Sequence, residues 1–348
     1  MKKILFTGGG SAGHVLPAIA LIEEILSDGI ADVCYMGTNG IEKSILSEWK
    51  IPFYEISCPK LVRGGGFSAF KENLKIPFRL KKAVAEAKKG LEIFKPDVVF
   101  SKGGFVALPV VLASKKLKIP CFAHESDLSP GLTTRLTATK CIKTFTSFPE
   151  TAKKIKRGVY SGAPIRRAVF NSSKADARRK LGIGFHEKVL LVFGGGSGSK
   201  AINDALRKTL PTLTEKYFVL HVCGKGNLVK SNVKNYMQFE FVSDMGTLYA
   251  CSDTVVARAG AGTIFELLSL KKPSLLIPLS GATRGDQIEN AHYFQSRGLC
   301  RVLSQDNLFS FFEEVTKLFT DEQLKSRLLD CEITCGNKKI IESLRARL

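Results

Sequence analysis

The chain has 348 residues, with 52 Lys and Arg against 32 Asp and Glu, a formal net charge of +20. Apolar residues make up 44 % and charged residues 24 %. These fractions exclude a disordered or collagen-like chain, and the length predicts two domains at roughly 100–200 residues each. Nine scattered cysteines without a Cys-x-x-Cys speak against a disulfide framework or zinc knuckle and for reduced thiols.

In chain order, only Ile4-Leu5-Phe6 separates the opening lysines from a glycine run, shorter than the roughly 7–15-residue apolar region of a secretory signal. No window reaches the ~20 apolar residues that span a bilayer. The expectation is a soluble chain, or one lying on a membrane surface. An apolar run, the turn Gly8-Gly9-Gly10-Ser11-Ala12-Gly13 and a helical stretch (17–26) follow one another, and KVLLVFGGGSGSK (188–200) repeats the grammar about half a chain later. A second pair also matches: PDVVFSKGGF (96–105) and SDTVVARAGA (252–261) each end a strand in a basic residue, Lys102 or Arg258, and turn through Gly into a helix. Apolar runs of four to six residues predict buried parallel strands, and their alternation with helical stretches predicts repeated βαβ units. The fold class is therefore α/β, with two Rossmann-like domains at 1–162 and 163–334. A C-terminal helix near 335–348 is expected to pack back on the first. Ligands of such sheets bind at the carboxyl ends of the strands, which in two facing domains meet across a cleft.

Both halves are basic, but the density peaks from Lys60 to Gly90, which holds Lys60, Arg63, Lys71, Lys75, Arg79 and four further lysines against Glu72 and Glu86. Phe67 and Leu80 lie among them, and Phe70, Leu74 and Phe78 are spaced i, i+4, i+8, on one helical face. Two readings stay open: rings packed on a core beneath solvated lysines, or an interfacial patch drawn to anionic lipid. No nucleic-acid motif accompanies the charge, so a nucleic-acid partner is not expected.

The first glycine turn fits Gly-x-Gly-x-x-Gly, yet the second strand ends in Gly37-Thr38 rather than an acidic residue, and the second turn lacks the third Gly, which argues against a dinucleotide. Neither turn ends in Gly-Lys-Ser/Thr, so a P-loop fails too. Backbone N–H groups at helix starts still suit anions. In ARAGAGTIFE (257–266), small residues permit close approach, Thr263 adds a hydroxyl, and Glu266 follows one turn later, placed for paired sugar hydroxyls. The chain contains no Asp-x-Asp, so a diphosphate leaving group is expected to rest on helix dipole and backbone donors with no metal and no cofactor.

The ordered segments GGGSAGHVLPAIA, SKGGFVALP, HESDLSPGLTTR, GAPIRR, GGGSGSKAIN, FVSDM, RAGAGTIFE and DQIENA resemble the MurG family, the lipid-intermediate N-acetylglucosaminyltransferases of bacterial peptidoglycan synthesis. The resemblance spans essentially the whole chain. It implies a GT-B fold and inverting transfer of N-acetylglucosamine (GlcNAc) from the co-substrate UDP-GlcNAc to the muramyl 4-hydroxyl of undecaprenyl-diphospho-muramyl-pentapeptide (lipid I), forming lipid II. It also implies a peripheral location on the cytoplasmic membrane face, in the service of cell-wall growth, cell shape and division. By motif, Ser11, Ala12 and Gly13 match the first glycine loop. Asp127 matches a donor-sugar position that is often Asn, with Ser126 in place of a common Gln. Arg166 matches the nucleotide-binding Arg, and Gly196 falls where a loop Ser is usual, with Ser197 next to it. Val242 matches the residue whose backbone meets uracil, and Ala261, Gly262, Thr263, Ile264, Phe265 and Glu266 match the diphosphate and ribose segment. Gln287 matches the reader of the sugar hydroxyls. The membrane patch is Phe70, Leu74 and Phe78 with Lys71, Lys75 and Arg79.

His14 is the candidate general base, since an imidazole near neutrality can take a hydroxyl proton; the competing role is to fix its loop or bind the acceptor diphosphate. Glu125, after His124, is the second catalytic candidate, as a base, an orienting group or a brace. Three rival functions remain: another UDP-sugar lipid glycosyltransferase, a UDP-GlcNAc 2-epimerase, and a non-catalytic membrane adaptor.

Overall fold

The apolar runs are parallel strands in the computed structural model, which describes residues 2–62, 66–281, 285–333 and 335–348. The first half contains β1 (Lys3–Thr7), β2 (Asp32–Gly37), β3 (Phe53–Glu55), β4 (Val98–Ser101), β5 (Cys121–Glu125), β6 (Lys143–Thr146) and β7 (Gly158–Tyr160). Its helices are α1 (Ala12–Ser27), α2 (Ile41–Glu48), α3 (Gly66–Leu74), α4 (Ile76–Phe94), α5 (Ala107–Lys116), α6 (Leu132–Thr137) and α7 (Pro149–Lys154). The second half contains β8 (Val189–Phe193), β9 (Phe218–Val222), β10 (Tyr236–Phe239), β11 (Thr254–Ala257), β12 (Ser274–Leu276) and β13 (Arg301–Val302). With these go α8 (Lys174–Leu181), α9 (Lys200–Thr214), α10 (Met245–Cys251), α11 (Ala261–Ser269), α12 (Asp286–Gln295), α13 (Phe311–Thr320), α14 (Glu322–Asp330) and finally α15 (Asn337–Arg345).

Among the described residues, one sheet has seven strands in the order β3-β2-β1-β4-β5-β6-β7 and the other six in the order β10-β9-β8-β11-β12-β13. All pairings are parallel. Each chain half first winds to one side of its opening strand and then crosses to the other. The direction therefore reverses between β1 and β4, and again between β8 and β11. Helices that diverge from such a switch point leave a crevice at the carboxyl ends of those two strands.

The two units are Met1–Arg166 with Thr334–Leu348, and Arg167–Ile333. In the first, the two-residue period of β1 sends Ile4 and Phe6 to one face and Leu5 to the other. Ile4 and Phe6 pack with Val15, Ile19 and Ile22 of α1 and with Ile340, Ile341 and Leu344 of α15. Leu5 packs with Val99, Val84, Leu91, Val110 and Val111, from β4, α4 and α5. Both faces are covered, which is why the strands are apolar throughout. No described helix is long and apolar enough to cross a membrane.

Besides this apolar packing, a buried amide ties α15 to the rest of the first unit. Asn337 Oδ1 accepts from Ile165 N at 2.9 Å, and its Nδ2 donates to Ile165 O at 2.9 Å and to the Glu24 carboxylate of α1. The Asn337→Ala variant leaves buried donors and acceptors unpaired, each at about 1–3 kcal/mol. The first unit is expected to lose about 2–3 kcal/mol in urea unfolding, and a change below about 0.5 kcal/mol, the range of an ordinary surface substitution, would contradict this account of the tie.

Candidate functional site

At the first switch point the glycine turn after β1 meets the turn after β4. Gly104 has φ +76°, and a Cβ there would lie 2.2 Å from the Gly9 carbonyl oxygen, so the two turns touch backbone to backbone. Gly10, at φ +83°, faces the Phe105 ring in the same way, and Lys60 Nζ stands 5.9 Å from that ring's centroid. Tyr35 OH donates to Gly8 O at 2.8 Å. The buried Glu42 carboxylate accepts from Gly10 N at 3.2 Å, from Thr38 N at 2.9 Å and from the Thr38 hydroxyl. Glu42 and Tyr35 thus set the turn, although sequence reading passed over both; the Thr38-x-x-x-Glu42 spacing at the β2–α2 turn is the signal that could have found Glu42.

Ser11 is the N-cap of α1, with Ala12 and Gly13 in the first turn and Pro17 inside the helix. Pro17 has no N–H, so the helix forms no bond to the Gly13 carbonyl. His14 is half-buried in this first turn, with Nδ1 at 2.9 Å from Ser11 Oγ. Burial, together with the Lys102 ammonium, pushes its pKa down to about 4, against the opposing pull of Glu125, a backbone bond with Gly9, and Glu42. A Cβ built on Gly103 would be 3.8 Å from His14 Cδ2 and 4.0 Å from both His14 Nε2 and the His124 carbonyl. The ends of β1, β4 and β5 therefore converge on the imidazole.

Lys102, only 1 % exposed, follows β4. Its Nζ donates to Ser126 Oγ at 2.7 Å. Burial lowers its pKa to about 8, while Glu125 and Asp127 oppose the fall. The Glu125 carboxylate accepts from Asp127 N at 3.2 Å, Gly131 N at 2.9 Å and Thr134 Oγ1 at 2.6 Å. It is engaged in holding the loop from Ser126 to Gly131. The Asp127 carbonyl accepts from Thr151 Oγ1 at 3.2 Å. His124 is buried, with Nε2 3.2 Å from Gly162 O and Nδ1 without a partner.

At the second switch point the turn after β8 leans the other way. A Cβ on Gly198 (φ +76°) would lie 2.2 Å from Cys223 O, after β9. Gly196 and Ser197 form the exposed tip, and Ser199 caps α9 by accepting from Ile202 N. Across the crevice, Arg258 donates to Ser199 Oγ at 2.8 Å, Gln305 Oε1 at 2.7 Å and the carbonyls of Ile277 and Pro278 at 3.1 Å each. It is a brace tying β8, β11 and β12 together. α11 begins at Ala261 with no side-chain cap. Ile264 N already bonds Gly260 O, which leaves the N–H groups before it for an anion. Ala261, Ile264 and Phe265 are buried in the core, so within the segment Gly262, Thr263 and Glu266 are the residues with exposed atoms. Glu266 accepts from Tyr249 OH at 2.9 Å. Gln287, in the first turn of α12, accepts from Leu279 N at 3.0 Å through Oε1. Val242 is half-buried in the loop from β10 to α10, two strands from β8 in the sheet order.

Arg166 stands apart. Its guanidinium is 6.0 Å from the Trp49 ring centroid, and its Nε is buried without a partner. Trp49 is bonded to Glu23 of α1 at 2.7 Å, and Glu23 lies about 16 Å along the helix from the glycine turn at 1.5 Å per residue. The basic stretch corrects the single helical face expected from spacing. Phe70 and Leu74 lie on α3 and Phe78 on α4, with the break at Lys75, the N-cap of α4, just before Pro77. Proline suits a helix start because its missing N–H has no partner there. Phe70, Leu74 and Phe78 are 59 %, 59 % and 81 % exposed, so these three do not pack on the core. Lys71, Lys75 and Arg79 are exposed around them, and Glu72 pairs with Lys75 at 2.7 Å and Arg79 at 3.1 Å. Arg63 and the Phe67 side chain lie outside the described residues.

The fold is shared with solved glycosyltransferases. The crystal structure of Acinetobacter baumannii MurG aligns over 99 % of this chain and 100 % of its own, with a TM-score of 0.75 at 24 % identity. A UDP-GlcNAc 2-epimerase from Neisseria meningitidis bound to UDP-GlcNAc aligns over 99 % of both chains, with a TM-score of 0.68 at 18 % identity. Two parallel α/β units of this strand order, each with a glycine turn at its switch point, define the GT-B class of glycosyltransferase fold. The Glycosyltransferase family 28 N-terminal domain matches residues 4–146 and the family 28 C-terminal domain residues 189–343. A Clostridium botulinum (strain Langeland) protein named UDP-N-acetylglucosamine--N-acetylmuramyl-(pentapeptide) pyrophosphoryl-undecaprenol N-acetylglucosamine transferase is 44 % identical over 88 % of both chains. A Clostridium novyi protein of the same name is 44 % identical over 92 % of this chain and 91 % of its own. The chain belongs to glycosyltransferase family 28.

Proposed function

We propose that the chain transfers GlcNAc from UDP-GlcNAc to the C4 hydroxyl of the muramyl sugar of lipid I, giving lipid II, on the cytoplasmic face of the membrane. The observation that carries this reading is the 44 % identity, over nearly nine-tenths of both chains, with a relative named for that transfer. The epimerase shares only the fold.

The second unit holds the nucleotide sugar. The first-turn N–H groups of α11 face the diphosphate, where a partly buried helix N-terminus is worth up to ~2 kcal/mol. Glu266, oriented by Tyr249, accepts from the ribose hydroxyls. Gln287 spends Oε1 on Leu279 and offers its amide hydrogens to the sugar. The Gly196–Ser197 tip closes on the phosphates, and the backbone at Val242 meets the base.

The first unit holds the acceptor. The muramyl hydroxyl proton passes to His14 Nε2, while Nδ1–H donates to Ser11 Oγ. The acceptor oxygen bonds C1 as the C1–O bond to UDP breaks, and the electron pair leaves on the diphosphate. A single displacement through an oxocarbenium-like state inverts the anomeric centre. An imidazole kept below its ordinary pKa is unprotonated at neutral pH, as a base must be. Glu125 acts as a brace: its three donors hold Asp127 at the sugar.

The test is transfer of labelled GlcNAc to a short-chain lipid I analogue, with UDP-glucose in parallel, EDTA present, and an acceptor-free control. Label is expected on the acceptor from UDP-GlcNAc alone and undiminished by EDTA, because the leaving group rests on backbone donors. His14→Ala is expected to lower kcat by about 10²–10⁴-fold. UDP-GlcNAc consumed without acceptor would favour the epimerase, and unchanged kcat in His14→Ala would remove the base assignment.

Membrane docking falls to α3 and the start of α4. Three exposed apolar side chains beside exposed Lys71, Lys75 and Arg79 suit an anionic bilayer, at about 1 kcal/mol per basic residue near the surface and about 1.5–3 kcal/mol per buried apolar side chain. Changing Phe70, Leu74 and Phe78 to Ser is expected to weaken binding to phosphatidylglycerol vesicles more than about tenfold, with UDP-GlcNAc affinity unchanged. Equal losses of both would contradict it.

A further inference from the structure

The ammonium of Lys102 is buried beside the proposed acceptor site without a role in the displacement itself. It lies beneath the two apposed glycine turns: a Cβ on Gly8 would be 3.1 Å from Lys102 Cβ and 3.2 Å from Gly103 O. Its backbone N–H bonds Thr7 O at 2.7 Å, which fixes the end of β4 to the end of β1. At 1 % exposure it cannot touch substrate. Its Nζ reaches Ser126 Oγ at 2.7 Å, on the segment that carries Asp127, and the next residue, Gly103, is in van der Waals reach of the His14 ring. A desolvated lysine is costly to bury, and the Glu125 and Asp127 carboxylates oppose that cost electrostatically.

We propose that Lys102 is a positioning residue for the transfer: bonded to Ser126 Oγ, its ammonium anchors the Ser126–Asp127 segment and sets a positive charge beneath the turn whose Gly103 lies against the His14 ring. This rests on the reading of His14 as the proton acceptor. The charged groups around the imidazole are few. Lys102 after β4 opposes its protonation, whereas Glu125 at the end of β5 and Glu42 in α2 favour it; Asp127 acts on Lys102. The neighbouring His124, also held well below its ordinary pKa by burial and by Lys102, adds no second positive charge. Burial disfavours the imidazolium most, and Lys102 adds to it against the pull of the two carboxylates. Once His14 has taken the acceptor proton, the same repulsion speeds its release to water and resets the base. Lys102 itself exchanges no proton or bond.

The experiment has two readouts. The first is the acidic limb of the kcat/KM–pH profile in the full-length enzyme. For a base, activity falls as pH drops through its pKa. In Lys102→Met this limb is expected to move upward by about one pH unit or more, the scale of one charge at short range. Lys102→Arg is expected to restore it. The second readout is the NMR titration of the His14 ring in the ¹³C-histidine-labelled protein, assigned with His14→Asn. Wild-type His14 is expected to stay neutral down to about pH 5, and to protonate at higher pH in Lys102→Met. A limb and a titration that do not move in a folded Lys102→Met overturn the proposal. If that variant does not fold, Lys102→Gln takes its place: a His14 titration that moves upward in Lys102→Gln but not in Lys102→Arg supports the proposal, and one that is the same in all three proteins overturns it. The titration does not depend on turnover. A shifted titration with an unmoved limb therefore means that Lys102 acts on His14 as described but His14 is not the base, and it separates the two failures.

Discussion

The structure around both sites depends on close backbone packing at glycine. In the first unit the turn after β4 rests on the turn after β1, at a distance where a Cβ on Gly104 would overlap Gly9 O. In the second unit the turn after β8 rests instead on the chain leaving β9, with Gly198 against Cys223 O. The same sequence grammar thus gives two arrangements. In the first, the β1–β4 crevice is closed at its base by backbone, and the Gly10 N–H is taken by Glu42, so this turn presents a side chain, His14. In the second, the β8 turn is drawn away from β11, and the crevice between them is spanned by the Arg258 side chain. Its uncapped α11 N-terminus presents backbone donors. The proposed displacement rests on this difference: a half-buried imidazole in one unit and uncapped helix N–H groups in the other.

Buried charge follows the same division. Glu42 and Glu125 have no cation within bonding distance but are fully served by N–H and O–H donors, which is what lets a carboxylate stay in the interior. Each sets a loop: Glu42 the first glycine turn, Glu125 the segment from Asp127 to Thr134. Arg258 is their counterpart in the second unit, its guanidinium spread over four acceptors. These groups support the loops on which the proposed substrate residues stand.

Much of this was legible in the sequence because parallel strands covered on both faces read as unbroken apolar runs. β1, β4, β8 and β11 announce themselves in that way, and the glycines mark the switch points. The short edge elements were not legible. β13 has two residues, and β3 and β7 three each, too few to show a period. The break between α3 and α4 was hidden because Phe70, Leu74 and Phe78 keep helical spacing across Pro77. The roles of Glu42, Lys102 and Arg258 were not legible either, because each depends on strands that are adjacent in the sheet and distant in the chain. Burial within the 261–266 segment was not legible either: Ile264 and Phe265 are core residues whose side chains hold α11 against the sheet, with Phe265 edge-on to Phe294 at 5.6 Å.

The central claim is that the nucleotide sugar is held at the β8–β11 switch point of the second unit, and not at the similar-looking turn of the first. Amide hydrogen exchange of the full chain with and without UDP-GlcNAc tests it most directly. Slowed exchange in peptides covering 194–199, 242–245 and 260–266, with 8–14 and 101–105 unchanged until lipid acceptor is added, is the predicted result. Protection by UDP-GlcNAc of the first glycine turn, with the 260–266 segment unaffected, would contradict it.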